Sequence, residues 1–163
     1  MQYQLQQKIL AWGDDFTIRD GSGEPVYYVD GKVFSWGDKL SFQDYSTRQE
    51  VAFIAQKMLS FKPRYEVYRG GELFAHVIKE WSWFKSKFTL DVPGPNDYEI
   101  TGSFWEREYT FERRGRVVAS VSKRFFSLSD TYGVDIINGE DDVTILATCV
   151  VVDLVCHDEE NND

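Results

Sequence analysis

Residues 143–156, Val-Thr-Ile-Leu-Ala-Thr-Cys-Val-Val-Val-Asp-Leu-Val-Cys, are the one long apolar stretch in a chain whose other apolar runs are short. Its β-branched residues suit a strand as well as a helix. Three features favour a helix. The stretch is longer than an ordinary strand, Asn138-Gly139 precedes it and can cap it, and Glu140, Asp141 and Asp142 sit where the positive end of a helix dipole favours acids. It is apolar on nearly every side, as a helix enclosed by protein must be. A membrane span is excluded by length, because about 14 residues at ~1.5 Å rise cover only ~21 Å of a ~30 Å hydrocarbon core. Asp153 in its interior adds to that cost. In a soluble fold this carboxylate must find hydrogen-bond donors, since a buried unpaired charge is too costly. No basic or nucleophilic neighbour in the sequence marks it as catalytic, so it reads as an anchor.

From residue 16 to about 125 the chain is a succession of short apolar or alternating runs separated by turn residues, the pattern of antiparallel strands joined by hairpins. Asp30-Gly31 is expected to turn the chain between Val26-Tyr-Tyr-Val29 and Lys32-Val-Phe34, and Gly70-Gly71 between Tyr65-Glu-Val-Tyr68 and Leu73-Phe-Ala75. Pro93-Gly94-Pro95-Asn96-Asp97 and Arg114-Gly115 mark two further reversals. Alternation is clearest in Phe88, Leu90 and Val92 against Lys87, Thr89 and Asp91, and in Val117, Ala119 and Val121 against Val118, Ser120 and Ser122. Roughly ten such strands without helical periodicity between them suggest a meander large enough to curl and close around the apolar helix. The expectation is a mainly β (α+β) single domain over residues 1–157. Its helix occupies about 140–157, and residues 158–163 form an acidic disordered tail with nothing to bury.

The net charge of −9 argues against general nucleic-acid binding, but the charges are unevenly placed. Residues 57–124 hold 13 of the 18 Lys and Arg against 9 acids, whereas residues 125–163 hold 10 acids and no base. A basic middle and an acidic end can therefore present opposite faces. The N-terminus lacks the basic stretch and apolar run of a secretory signal, so a cytosolic site is expected. Cys149 and Cys156, about two helical turns apart, are too distant to bond and read as reduced core thiols. Neither has the neighbours of a four-ligand metal site. His76 and His157 lie in no motif, and there is no nucleotide-binding glycine loop, nucleophile elbow or two-His zinc spacing. No cofactor is implied, and the chain offers no positive case for an enzyme.

The chain resembles the LURP-one-related family, whose fold is similar to the tubby C-terminal domain and the phospholipid scramblases. The resemblance is carried by Gly13-Asp-Asp-Phe-Thr-Ile18, Lys62-Pro-Arg-Tyr-Glu-Val67, Phe88-Thr-Leu-Asp-Val-Pro-Gly94 and Gly102-Ser-Phe-Trp105. It is strongest in Asp130-Thr-Tyr-Gly-Val-Asp-Ile136 running into the apolar helix. It implies a closed antiparallel barrel of about twelve strands enclosing the hydrophobic C-terminal helix. It also implies a lipid connection: tubby-type domains bind phosphoinositide headgroups through basic and polar surface residues. Scramblase-type relatives are associated with lipid movement, and with calcium near the acidic stretch before the helix.

Against that expectation the candidate headgroup-binding bases are Lys79, Lys85 and Lys87, the last two expected to share a strand face, with Trp81 and Trp83 between them suited to a membrane interface. Arg113, Arg114 and Arg116 form a second basic patch at a hairpin tip, with Lys123 and Arg124 further on. Both patches have plainer readings, as solvated strand faces and as charged hairpin tips. Asp130, Asp135, Glu140, Asp141 and Asp142 are a weak calcium candidate, because their spacing does not match an alternating twelve-residue calcium loop; helix-start electrostatics explain them more simply. The expected function is a non-enzymatic barrel, peripheral to a membrane rather than spanning it, that binds anionic lipid headgroups or a protein partner. The alternatives are a small-ligand receptor or enzyme using a pocket at a barrel mouth where His76 and Asp153 converge, and an interaction scaffold meeting another protein through exposed tryptophans.

Overall fold

The computed structural model describes residues 1–10, 13–33, 37–81, 85–124 and 130–161. Twelve strands follow one another: β1 (Gln2–Leu10), β2 (Gly13–Asp20), β3 (Pro25–Val33), β4 (Asp38–Asp44), β5 (Glu50–Gln56), β6 (Arg64–Arg69), β7 (Glu72–Glu80), β8 (Lys87–Asp91), β9 (Tyr98–Ser103), β10 (Glu108–Arg113), β11 (Arg116–Ser122) and β12 (Thr131–Ile136). Each pairs antiparallel with the next, and β12 pairs with β1, so the sheet closes into a barrel with no free edge. The helix α1 (Asp142–Asn161) threads it, entering at the end where β1 begins and leaving at the end where β1 finishes. These are called the entry and exit ends below.

Gly70-Gly71 and Arg114-Gly115 each supply two consecutive positive φ angles (59° and 81°; 52° and 73°), which two-residue hairpins need to match strand twist. The turn expected at Asp30-Gly31 does not form. Gly31 lies inside β3 opposite Leu40, and its N–H donates to Asp15 Oδ1 at 3.1 Å while the Tyr28 hydroxyl donates to Asp15 Oδ2 at 2.6 Å. A carboxylate from β2 holds the segment extended, so cross-strand pairing overrides the local turn signal. Phe34, which that turn was to precede, lies outside the described residues. The alternation in β8 is as expected. In β11 it breaks: Val118 and Ala119 are both buried and Val117 is exposed, because the pairing with β10 shifts register between Phe111 and Glu112.

Every residue of α1 from Thr144 to Val155 is buried, so the helix is enclosed on all sides. It is capped by Asp141 rather than by Asn138-Gly139. The Thr144 N–H donates to Asp141 Oδ1 at 3.3 Å and the Thr144 hydroxyl to Oδ2 at 2.7 Å, while Gly139 at φ 92° turns the chain inward just before. At the other end the helix continues to Asn161, so residues 158–161 are helical where a disordered tail was expected; residues 162 and 163 lie outside the described residues. Among the described residues no helix is long and apolar enough to cross a membrane.

Gly102 in β9, opposite Tyr109, has φ 142°, and a Cβ there would stand 2.5 Å from the Glu108 carbonyl oxygen and 2.6 Å from Tyr109 Cα. Backbone cannot yield as a flexible side chain does. Gly102→Ala is expected to lower stability by about 2–4 kcal/mol, seen as a lower urea midpoint at unchanged slope.

Candidate functional site

The polar groups that point into the barrel gather at its two ends. At the entry end, three successive acids are each held by different strands. Glu140 accepts from the Tyr98 hydroxyl of β9 and from Arg113 Nη2 of β10, both at 2.6 Å. Asp141 takes both its oxygens to Arg69 Nη1 of β6 at 3.0 Å, and Asp142 accepts from the Tyr3 hydroxyl of β1 at 2.6 Å. Burial first, then the hydrogen-bonded carboxylate, push the Tyr3 and Tyr98 hydroxyls well above 10. The five acids considered for calcium are thus not brought together. Asp135 is exposed on β12, and Asp130 sits towards the exit end, accepting from Gln6 Nε2 at 3.5 Å and from Thr131 Oγ1. Among the described residues no group of three or more His, Cys, Asp or Glu is arranged to hold a metal ion.

Asp153 is buried deep in α1 and accepts from the Tyr132 hydroxyl at 2.7 Å and from Arg107 Nε at 3.3 Å; Arg107 also donates to Gln7 Oε1 at 3.2 Å. The basic partner that the sequence did not identify therefore comes from the β9–β10 turn, where Arg107 has φ 55°. His76 is on the outward side of β7, accepting from Arg64 Nε at Nδ1 (3.2 Å), and does not meet Asp153. Burial, then the Arg64 charge, hold its imidazole below its ordinary range. Cys149 and Cys156 are free thiols; burial pushes both up, Cys156 to about 12. α1 occupies the interior, and at the entry mouth a concavity of about 270 Å³ is lined by Phe74, Tyr98, Arg113, Glu140 and Thr144 among others, with neither His76 nor Asp153 in its wall.

The basic candidates divide between the ends. Arg113 turns inward to Glu140, Arg114 Nη2 donates to Asn96 Oδ1 at 2.5 Å, and Arg116 is exposed, all at the entry end. Lys79 is not on the wet face of its strand. In β7 it falls in phase with Ala75 and Val77, only 6 % of its side chain is exposed, and it pairs with Glu159 in the last turn of α1 beneath the Trp81 ring. Lys87 lies on β8, 3.4 Å from Glu99, whereas Lys85 precedes the strand and is exposed, so the shared strand face is not formed. Trp83 lies outside the described residues.

The exit end carries what the sequence reading missed. Residues 57–63, Lys-Met-Leu-Ser-Phe-Lys-Pro, join β5 to β6, with the loop base pinned by the Lys57 N–H donating to the Arg64 carbonyl at 2.8 Å. Leu59 and Phe61 are as exposed as side chains can be (105 % and 107 %), and Leu59 holds a φ of 60°. Met58, Trp81 and Trp105 of the same end are exposed as well. A cleft of about 470 Å³ lies between the loop, Trp81 and the helix end, lined by Lys57, Phe61, Lys62, Val155, Asp158 and Glu159 among others. Lys62 pairs with Glu80 at 2.5 Å, both partly exposed. The signal was available: an apolar triplet bracketed by bases falls between two strands, where turn residues belong.

A model of the LURP-one-related family matches residues 1–153. The chain belongs to that family. It is also 34 % identical over 157 residues to the uncharacterized protein YxjI of Bacillus subtilis (strain 168), covering 96 % of this chain and 94 % of the relative. Its fold is similar to the X-ray structure of a protein from Arabidopsis thaliana, with a TM-score of 0.64 at 21 % identity over 94 % of this chain and 91 % of the other. The family and the closed barrel expected from the sequence thus stand, and the likeness to the plant protein extends to fold alone.

The entry-end tyrosines generate a pH dependence. Their hydroxyls titrate higher folded than the ordinary value of 10.0, so the stability they contribute is complete below about 10 and is lost as pH rises from there towards the folded values. Urea midpoints are expected to fall above pH ~10, and Tyr98→Phe to make that fall shallower while leaving the Arg113–Glu140 pair in place.

Proposed function

We propose that this domain is a non-catalytic barrel that binds anionic phospholipid headgroups through its exit end, as a cytosolic protein peripheral to the membrane. The observation that carries this reading is the meeting of exposed bases and exposed apolar side chains at one end: Lys57, Lys62 and Lys85 beside Leu59, Phe61 and Trp81. Phosphates are held by charge and charge-assisted hydrogen bonds, and the interface is where tryptophan and a flanking lysine are both stable. The resemblance to tubby-type domains implies the same class of ligand. Two expected candidates change role: Lys79 is buried against Glu159 and Arg113 is turned inward to Glu140, so Lys57 and Lys62 take their place, Lys62 remaining exposed in its pair with Glu80.

A protein partner fits this end less well, because lysines are depleted at protein–protein interfaces and here two of them bracket the apolar residues. The filled barrel interior counts against a small-ligand receptor. In co-sedimentation with phosphatidylcholine–phosphatidylserine vesicles, the wild-type protein is expected to partition onto the lipid and to be released by salt. Lys57→Ala with Lys62→Ala is expected to cut partitioning by about 25-fold, from ~1 kcal/mol for each base near an anionic surface. Indifference of the wild-type protein to anionic lipid sinks the proposal.

A further inference from the structure

Headgroup attraction alone leaves the oddest feature of the exit end without a role. Leu59 and Phe61 touch almost nothing in the protein, and Leu59 occupies a backbone conformation in which a bulky side chain is an outlier and Gly or Asn is at ease. Such a position gains nothing for the fold by carrying leucine, whether in packing or in backbone comfort. A loop tuned only for solubility would carry polar residues there. Met58, Leu59 and Phe61 instead form an apolar tip within the span from Lys57 to Arg64, in which Lys57, Lys62 and Arg64 are the only charged residues.

We infer that residues 58–61 insert into the acyl boundary of an anionic bilayer, with Lys57 and Lys62 at the headgroup level, so that the barrel stands on its exit end. This rests on the headgroup-binding reading and goes beyond it by making the partner a bilayer rather than a soluble phosphate. Several observations favour this occupant. The apolar tip has cations on both sides of it in the chain, the arrangement of segments that lie in an interface with their apolar face buried and their bases at the surface. The loop does not stand alone, because Trp81 lines the same cleft and Trp105 is exposed in the β9–β10 turn at the same end. The charge is also polarised along the chain. With a net charge of −9, a protein that approaches an anionic surface must present a local positive segment first, and the 57–64 loop is one. The acidic helix start lies at the far end, and of the acids near the loop Glu80 and Glu159 are paired with Lys62 and Lys79, with Asp158 lining the cleft beside them.

The loop's own exposure makes the inference straightforward to test, because Leu59 and Phe61 support nothing inside the fold. Leu59→Cys can be labelled selectively with an environment-sensitive fluorophore, since Cys149 is buried and the Cys156 thiol is half-buried and pushed up to about 12. On phosphatidylcholine–phosphatidylserine vesicles the label is expected to shift to the blue and to become shielded from aqueous iodide. Neither change is expected with glycerophosphoserine, the soluble headgroup. Leu59→Ser with Phe61→Ser is expected to keep the wild-type melting temperature and to lose vesicle partitioning by about 100-fold or more, from the transfer of two large apolar side chains. If the protein sediments with vesicles while the label stays in water, insertion is overturned and headgroup binding stands. If the protein ignores the vesicles, both fall. A blue shift that grows with protein concentration in the absence of lipid identifies a second copy as the occupant and overturns the inference.

Discussion

A closed barrel of twelve strands is wider than its own inward side chains can fill, and everything else in this protein follows from how that space is occupied. Smaller barrels close over their side chains; larger ones hold water or a plug. Here the plug is the chain's own C-terminal helix, which is why α1 is apolar around its whole circumference instead of along one stripe. It is also why β-branched residues are tolerated throughout it, since intrinsic propensity is a weak term beside burial on every side. Asp153, the one charged residue in the buried stretch 144–155, fits the scheme because it has the Tyr132 hydroxyl and the Arg107 guanidinium within reach. Removing one of these partners leaves a charge stranded in the core, the costliest kind of defect, whereas the intact pair contributes more to position than to net stability.

Position is the second problem of a smooth apolar plug, because a helix that packs equally well at several heights or rotations has no unique place. The entry-end ring addresses it. Glu140, Asp141 and Asp142 each meet a donor from a different part of the wall, namely β9 and β10, β6, and β1. Sliding the helix by one residue breaks all of these contacts at once, and rotating it breaks most of them. The same acids lie at the helix N-terminus, where the dipole favours them, so local and long-range preferences agree. At the other end the Lys79–Glu159 pair holds a final turn whose acids the dipole does not favour. This is why the helix persists through residues that composition alone assigns to a tail.

The parts of this fold that sequence made legible are those set by period and local turn chemistry. The β8 alternation, the Gly70-Gly71 and Arg114-Gly115 hairpins and the buried helix depend on neighbours in the chain. The misread parts depend on residues far away. Asp30-Gly31 carries a turn signal that Asp15 in the preceding strand overrides, and Asp153 finds a base 46 positions earlier in the chain. Lys79 is a different case, since its place was readable: it continues the inward series Ala75, Val77, and only its charge made it look like a surface residue. The candidate bases were chosen by the same cue of charge, and the structure turns Lys79 and Arg113 inward to Glu159 and Glu140. Counting bases drew attention to the strands around residues 79–87 and to the 113–116 tip, and passed over the exposed apolar residues Leu59 and Phe61 in a connection.

The two ends of the barrel are built from different kinds of connection. The entry-end connections are short and polar, built from Gly21-Ser22-Gly23, Gly70-Gly71 and Arg114-Gly115, with Asp20 and Asp44 tying their own loops through hydrogen bonds that hold both carboxyls below the usual range. They serve the hairpins and the helix start. The exit-end connections solve an identical geometric task with unsuitable materials. Among the described residues, Trp81 and Trp105 lie in or beside connections at this end. Both are exposed. Turn formation does not need tryptophan, and solubility disfavours it. Local rules that hold at one end of a closed and otherwise regular barrel and fail at the other point to a demand on the second end that folding does not impose, and the bilayer contact proposed above is a demand of that kind.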